Sequence, residues 1–125
     1  MKLAVATDLR DLHVASDLNL GHIIAVALDD QPLATSSRIL LQVMSEERET
    51  NHQTEPVSAT LKRIVNIGTD PWRIREFTGI VRFKRADAGQ LKVTALDFNG
   101  YAPGPAGTGK ELKLQPTTMY YLIAR

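Results

Sequence analysis

Phe77-Thr78-Gly79-Ile80-Val81-Arg82-Phe83-Lys84 is the stretch on which the fold turns. Read in twos, Phe77, Gly79, Val81 and Phe83 fall on one side, and Thr78, Ile80, Arg82 and Lys84 on the other. A period of two residues, with one apolar side and one mostly polar side, belongs to a half-buried β-strand. The same period recurs downstream. Leu91, Val93 and Ala95 alternate with Gln90, Lys92 and Thr94, and Leu112 and Leu114 flank Lys113. Upstream, Ile64 and Val65 sit inside the run from Lys62 to Ile67. The continuous apolar and aromatic run from Met119 to Ile123 suits a strand buried on both faces or lying under another sheet.

Turn chemistry punctuates these runs. Asp29-Asp30-Gln31-Pro32 follows the aliphatic run Ile23 to Leu28, and Gly68-Thr69-Asp70-Pro71 follows the Ile64 strand. Ala86-Asp87-Ala88-Gly89 reads as the turn of a hairpin, and Asn99-Gly100 is the strongest short turn signal. The Gly- and Pro-rich stretch 102–109 reads as a loop, as does the polar stretch 45–56. Residues 8–20 carry Leu9, Leu12, Leu18 and Leu20 among Asp and Ser, which fits either a short helix or an irregular lead-in strand. Short strands with turns between them predict an all-β fold, an antiparallel β-sandwich of about eight strands in a jelly-roll or immunoglobulin-like layout. Its expected core is Ile24, Val26, Leu28, Ile39, Leu41, Ile64, Val81, Phe83, Leu91, Val93, Leu114 and Leu122.

The totals agree with one domain. The chain has 125 residues, 43% hydrophobic and 23% charged, which is enough to bury a core without metals or disulfides. No linker divides it, so residues 1–20 read as a lead-in or interdomain connection and 21–125 as the sandwich. A net charge of +1 supplies no bulk reason to seek nucleic acid or an anionic membrane, and neither is expected as a partner. There are no cysteines, which removes disulfides, thiolate nucleophiles and cysteine metal sites. The run Ile23 to Leu28 is far short of the roughly 20 residues of a membrane-spanning helix. Asp8 and Arg10 follow Met1 to Ala6 too closely for a signal peptide.

Several motifs invite a chemical reading, and each has a plainer one. Gly104-Pro105-Ala106-Gly107-Thr108-Gly109-Lys110 matches part of a phosphate-binding loop. Glu111 stands where that loop needs Ser or Thr, and an alternating Leu112-Lys113-Leu114 follows instead of a helix. The stretch therefore reads as a glycine-rich turn. His13 lies near Asp8, Asp11 and Asp17, which read as solvated residues that start or cap a turn, while His22 opens a strand and His52 sits in the polar loop, and no metal or other cofactor is expected. Glu46, Glu47, Glu49 and Glu55 read as a solvated charge run, and no G-x-S-x-G elbow is present, so no catalytic residue is assigned. Of Arg73, Arg75, Arg82, Lys84, Arg85 and Lys92, several would share a face if the two strands around residues 86–89 paired. That face would be an anion-binding surface or simply the wet side of a sheet, and the latter is favoured. Trp72, Tyr101 and one of the adjacent pair Tyr120 and Tyr121 would supply the aromatic platform of a carbohydrate site, with Tyr121 as the third member, and core packing is the plainer and favoured reading of these rings.

Four strings taken in order resemble a known group of domains. They are Val26-Ala27-Leu28-Asp29-Asp30-Gln31-Pro32-Leu33-Ala34-Thr35-Ser36, Arg38-Ile39-Leu40-Leu41-Gln42-Val43, Ala95-Leu96-Asp97-Phe98-Asn99-Gly100-Tyr101 and Tyr120-Tyr121-Leu122-Ile123. Across residues 22–123 the chain resembles the C-terminal β-sandwich accessory domains of multidomain bacterial glycoside hydrolases. The shared strings are turns and core strands, so the resemblance implies no catalytic residue and no enzyme activity. It implies a non-catalytic accessory module that packs against or orients the catalytic domain of a polysaccharide-degrading enzyme. That catalytic domain is the expected partner. The alternative is a carbohydrate-binding module whose exposed aromatics, Trp72, Tyr101 and Tyr121, hold polysaccharide. An extracellular or periplasmic location would follow if the parent hydrolase is secreted.

Overall fold

The computed structural model describes residues 5–125. In chain order its strands are β1 Val5–Asp8, β2 Leu12–Ser16, β3 Gly21–Ala27, β4 Arg38–Ser45, β5 Glu47–Thr50, β6 Gln53–Pro56, β7 Lys62–Asn66, β8 Thr69–Ile74, β9 Gly79–Phe83, β10 Lys92–Leu96, β11 Gly104–Thr108, β12 Leu112–Leu114 and β13 Tyr120–Ala124. All pairings between them are antiparallel. The fold is all-β, and the described residues hold no α-helix. Nine strands make two larger sheets, β1-β2-β9-β12 and β11-β10-β13-β4-β3. The chain divides into two compact units instead of the one expected: a sheet unit up to Ser45 and again from Glu76 to Arg125, and a ribbon unit, Glu46–Arg75.

The sheet unit has one buried cluster fed by both larger sheets. Leu12, Val81, Phe83, Leu112 and Leu114 come from the four-stranded sheet. Ile39, Leu41, Val43, Val93, Tyr121 and Ile123 come from the five-stranded one. The alternation of the opening stretch holds residue by residue, with Phe77, Gly79, Val81 and Phe83 buried and Arg82 and Lys84 exposed. Glycine at 79 is a packing requirement. A Cβ there would sit 2.7 Å from Ala15 O and 3.0 Å from Leu114 Cδ1, closer than neighbouring strands can yield.

Several expectations are overturned, each for a physical reason. Residues 1–20 are not a lead-in as far as they are described, since β2 is hydrogen-bonded between β1 and β9 and Leu12 and Leu18 enter the core. The turn at residues 86–89 does not close a hairpin: β9 and β10 lie in different sheets, joined by a 3₁₀ turn over Ala88–Gln90. The stretch 102–109 contains β11, an edge strand on β10 whose register shifts at Val93/Thr94. The polar stretch 45–56 contains β5 and β6, which find backbone partners in β8 and β7. In the core list, Ile24, Val26, Leu28 and Ile64 are exposed and Leu122 is only half-buried. In β13 it is Tyr121 and Ile123 that point inward.

The long connection from β3 to β4 is fixed by a polar knot. Asp29 accepts hydrogen bonds from the hydroxyls of Ser36 and Ser37 and from the Ser37 N–H. These donors, Ser36 foremost, pull the Asp29 carboxyl down to about 2. Nearby, the Arg85 side chain is only 8% exposed. It donates to both carboxylate oxygens of Asp87 and to the carbonyls of Leu33 and Ser36. The Asp-Asp-Gln-Pro string quoted above is thus a stapled turn, and no reactive site is formed there.

Candidate functional site

The five-stranded sheet has two unlike faces. Its inner face supplies the core, while Ile23 and Ala25 of β3 lean partly onto that core. The intervening residues of β3, His22, Ile24 and Val26, therefore face outward, and Leu28 follows them. Strand pairing extends this outer face in rows. Val26 stands opposite Leu40, which stands opposite Leu122, which stands opposite Thr94. The next row is Ile24, Gln42, Tyr120 and Leu96. A third row, Arg38, Ala124 and Lys92, closes one end with two cations.

This outer face is apolar where an outer face is usually polar. Ile24, Val26 and Leu28 are 44%, 50% and 48% exposed, and Met44 joins them opposite His22. Leu40, Leu96, Tyr120 and Leu122 are half-buried beside them. Scattered apolar residues on a surface are ordinary, but contiguous rows of them rimmed by charge mark a contact surface. The sequence signal was present as the run Ile23 to Leu28, which was assigned to the core.

The expected aromatic platform is not assembled as drawn. Trp72 on β8 is 56% exposed and stands opposite Glu49 in the ribbon unit. Tyr101 is 73% exposed and belongs to the sheet unit. Tyr121 is a correction: it is fully buried, and its hydroxyl accepts the Gln115 N–H at 2.7 Å. Burial pushes its phenol up from the ordinary value. The exposed companion of Tyr101 is Phe98, on the same turn, where Asp97 accepts the N–H groups of Asn99 and Tyr101.

The remaining candidates are taken up by structure. His13 lies 3.5 Å from Asp8, whose carboxylate is also held by the Lys84 ammonium. That ammonium, more than His13, keeps Asp8 below the usual carboxylate range. Among the described residues no group of three His, Asp or Glu side chains could hold a metal ion. Lys110 sits in the tight turn between β11 and β12, not at a helix start. The basic cluster is dispersed as well. Arg82 donates twice to Glu111, at 3.0 and 2.7 Å, the Arg85 side chain is bound to Asp87, Lys92 belongs to the other sheet, and Arg73 and Arg75 are in the ribbon unit. No helix among the described residues is long and apolar enough to cross a membrane. No known protein family, curated protein or solved structure matches the chain.

Proposed function

We propose that this chain is a non-catalytic β-sandwich accessory module that docks the outer face of its five-stranded sheet on the catalytic domain of a polysaccharide-degrading glycoside hydrolase. The observation that carries the reading is the apolar rows through Ile24, Val26, Leu40 and Leu122 on a face that an isolated domain would keep polar. A partner with a flat apolar patch and carboxylates set against Arg38 and Lys92 matches it. The resemblance of residues 22–123 to hydrolase accessory domains supplies the identity of that partner.

A jelly-roll layout is the finer reading of the fold, and the pairing order supports it. β10 pairs with β11, β9 with β12 and β4 with β13, so successive strands pair outward from one innermost hairpin. In addition β9 lies beside β2 and β13 beside β10, as two Greek keys would require.

The test is association in trans with a glycoside hydrolase catalytic domain, followed by analytical ultracentrifugation. Ile24→Lys with Val26→Glu should leave the fold intact by circular dichroism and abolish the complex. A complex unaffected by both charges would sink the docking reading. The alternative, a carbohydrate-binding module, is favoured by the exposure of Trp72 alone among the ribbon's rings. It predicts retardation in affinity electrophoresis by a soluble polysaccharide, lost in Trp72→Ala.

A further inference from the structure

We propose that the ribbon unit holds a binding site for a carboxylate on a small hydroxylated ligand, of the uronic-acid class, with the guanidinium groups of Arg48 and Arg73 as its clamp. This inference is independent of the docking face, which belongs to the other unit.

Arg48 of β5 and Arg73 of β8 are direct cross-strand partners, so their side chains leave the same face of the ribbon. Like charges in that relation repel and cost stability. Among the described residues neither arginine has an ion pair or a side-chain hydrogen bond, whereas Arg75, just past the end of β8, meets Glu46 at 3.5 Å. Two uncompensated guanidinium forks side by side fit the two oxygens of one planar carboxylate.

The surroundings narrow the ligand. Both arginines line one groove of about 490 Å³, open to solvent and confined to the ribbon unit. Three arginines, Arg48, Arg73 and Arg75, border it with two glutamates, Glu46 and Glu49, which leaves one positive charge. A monoanion balances that charge, while a dianion such as phosphate would meet the two glutamates. Asn51 and Gln53 add amides that both donate and accept, as hydroxyl groups require. Trp72 lies outside the lining and the one ring in it is the His52 imidazole, so a neutral sugar finds no broad aromatic platform in the groove.

The test is titration of the whole chain with sodium glucuronate at low salt, followed by NMR shifts, with glucose and inorganic phosphate as controls. Glucuronate should bind saturably and glucose should not. Arg48→Gln and Arg73→Gln should each weaken binding by about tenfold or more, since each removes charged hydrogen bonds. The unliganded variants should melt no lower than the wild type, because the substitution relieves repulsion. Polygalacturonate binding more tightly than glucuronate would assign the site to a polymer, and glucuronate binding alone to the free acid. Both results support the carboxylate class. Equal response to glucose and glucuronate, tighter binding of phosphate, or full affinity in Arg48→Gln would overturn it. So would a lowered melting temperature in Arg48→Gln, because it would reveal a structural partner for that arginine.

Discussion

The sheet unit and the ribbon unit are built from the same kind of element and are held together differently. In the sheet unit, strands from two sheets fill one cluster in which Val81, Ile39, Leu41 and Tyr121 are wholly buried. In the ribbon unit no residue is buried, and Val57, Leu61, Ile64, Val65, Ile67 and Trp72 are all exposed. Two short two-stranded ribbons, β5-β8 and β6-β7, carry it. Their order rests on backbone pairing and on local devices. Thr50 donates to Pro71 O at 2.7 Å, and Gly68 adopts a φ of 93° where a Cβ would lie 2.7 Å from Thr50 O. Isolated two-stranded ribbons are marginal in water. The contrast teaches that apolar content does not make a core. Both units hold it, but only one has a second layer to bury it against.

The largest expected effect separates the two units most sharply. Phe77→Ala removes a fully buried ring and should cost about 3–5 kcal/mol in urea unfolding. Ile64→Ala, in a strand with no buried residue, should fall within about 0.5 kcal/mol of the wild type. Equal costs would mean that the ribbon unit possesses a core after all.

Arg85 comes next. Its guanidinium is the donor for the carbonyls of Leu33 and Ser36, so Arg85→Ala orphans acceptors in a part-buried site. A loss of about 1–3 kcal/mol is expected by the same measurement. A neutral outcome would mean that water replaces the guanidinium and that the knot contributes little.

How far the sequence could be read follows from the same contrast. Alternation found β9, β10 and β12, because one side of each meets the core and the other meets water. It failed where both sides are apolar. The run Ile23 to Leu28 has no polar residue to set its phase, so the exposed Ile24 and Val26 were placed in the core. In Tyr120 to Ile123 the phase is equally unset, and Tyr121 is an interior hydrogen-bond acceptor instead of a platform ring. It failed again where neither side is buried, since β5 and β6 have no apolar period to show. Turn residues marked reversals but not destinations: Asp87 and Gly89 look alike whether the chain returns to its own sheet or crosses to the other. Of the candidate site, Trp72 and Tyr101 are exposed, where the sequence favours core packing for such rings. The Arg48–Arg73 opposition is invisible, because it depends on pairing between one segment that reads as a loop and another that opens on a turn.

Acid should act through the sheet unit's anchored carboxylates. Asp29 has its carboxyl lowered from 3.8 to about 2 by the Ser36 and Ser37 donors. A depressed folded value means a contribution that is complete above 3.8 and is lost as the pH falls toward 2. Asp8, lowered chiefly by Lys84, and Glu111, lowered chiefly by Arg82, act in the same direction. Wild-type stability should therefore decline below 4.5, where Glu111 begins to count, and Asp29→Asn should show a shallower decline below 3.8. Parallel pH curves would remove the Ser36–Asp29 contact from the account.

The smallest effect on stability bears most directly on what the ribbon is for. Ile64→Ser and Ile67→Ser replace side chains that are 58% and 71% exposed, so the expected change in global stability is within about 0.5 kcal/mol. Hydrogen exchange should agree, with β5–β8 amides exchanging by local opening while β9, β10 and β13 amides wait for global unfolding. If the serine variants instead lost more than about 1 kcal/mol, or if ribbon amides exchanged as slowly as those of β13, the ribbon's apolar side chains would have to be covered in solution. A concentration-dependent loss would assign the cover to a second copy of the chain. A concentration-independent one would assign it to the chain itself. The contrast between a unit that holds its own core and one that keeps its apolar residues for contact stands or falls on that pair of measurements.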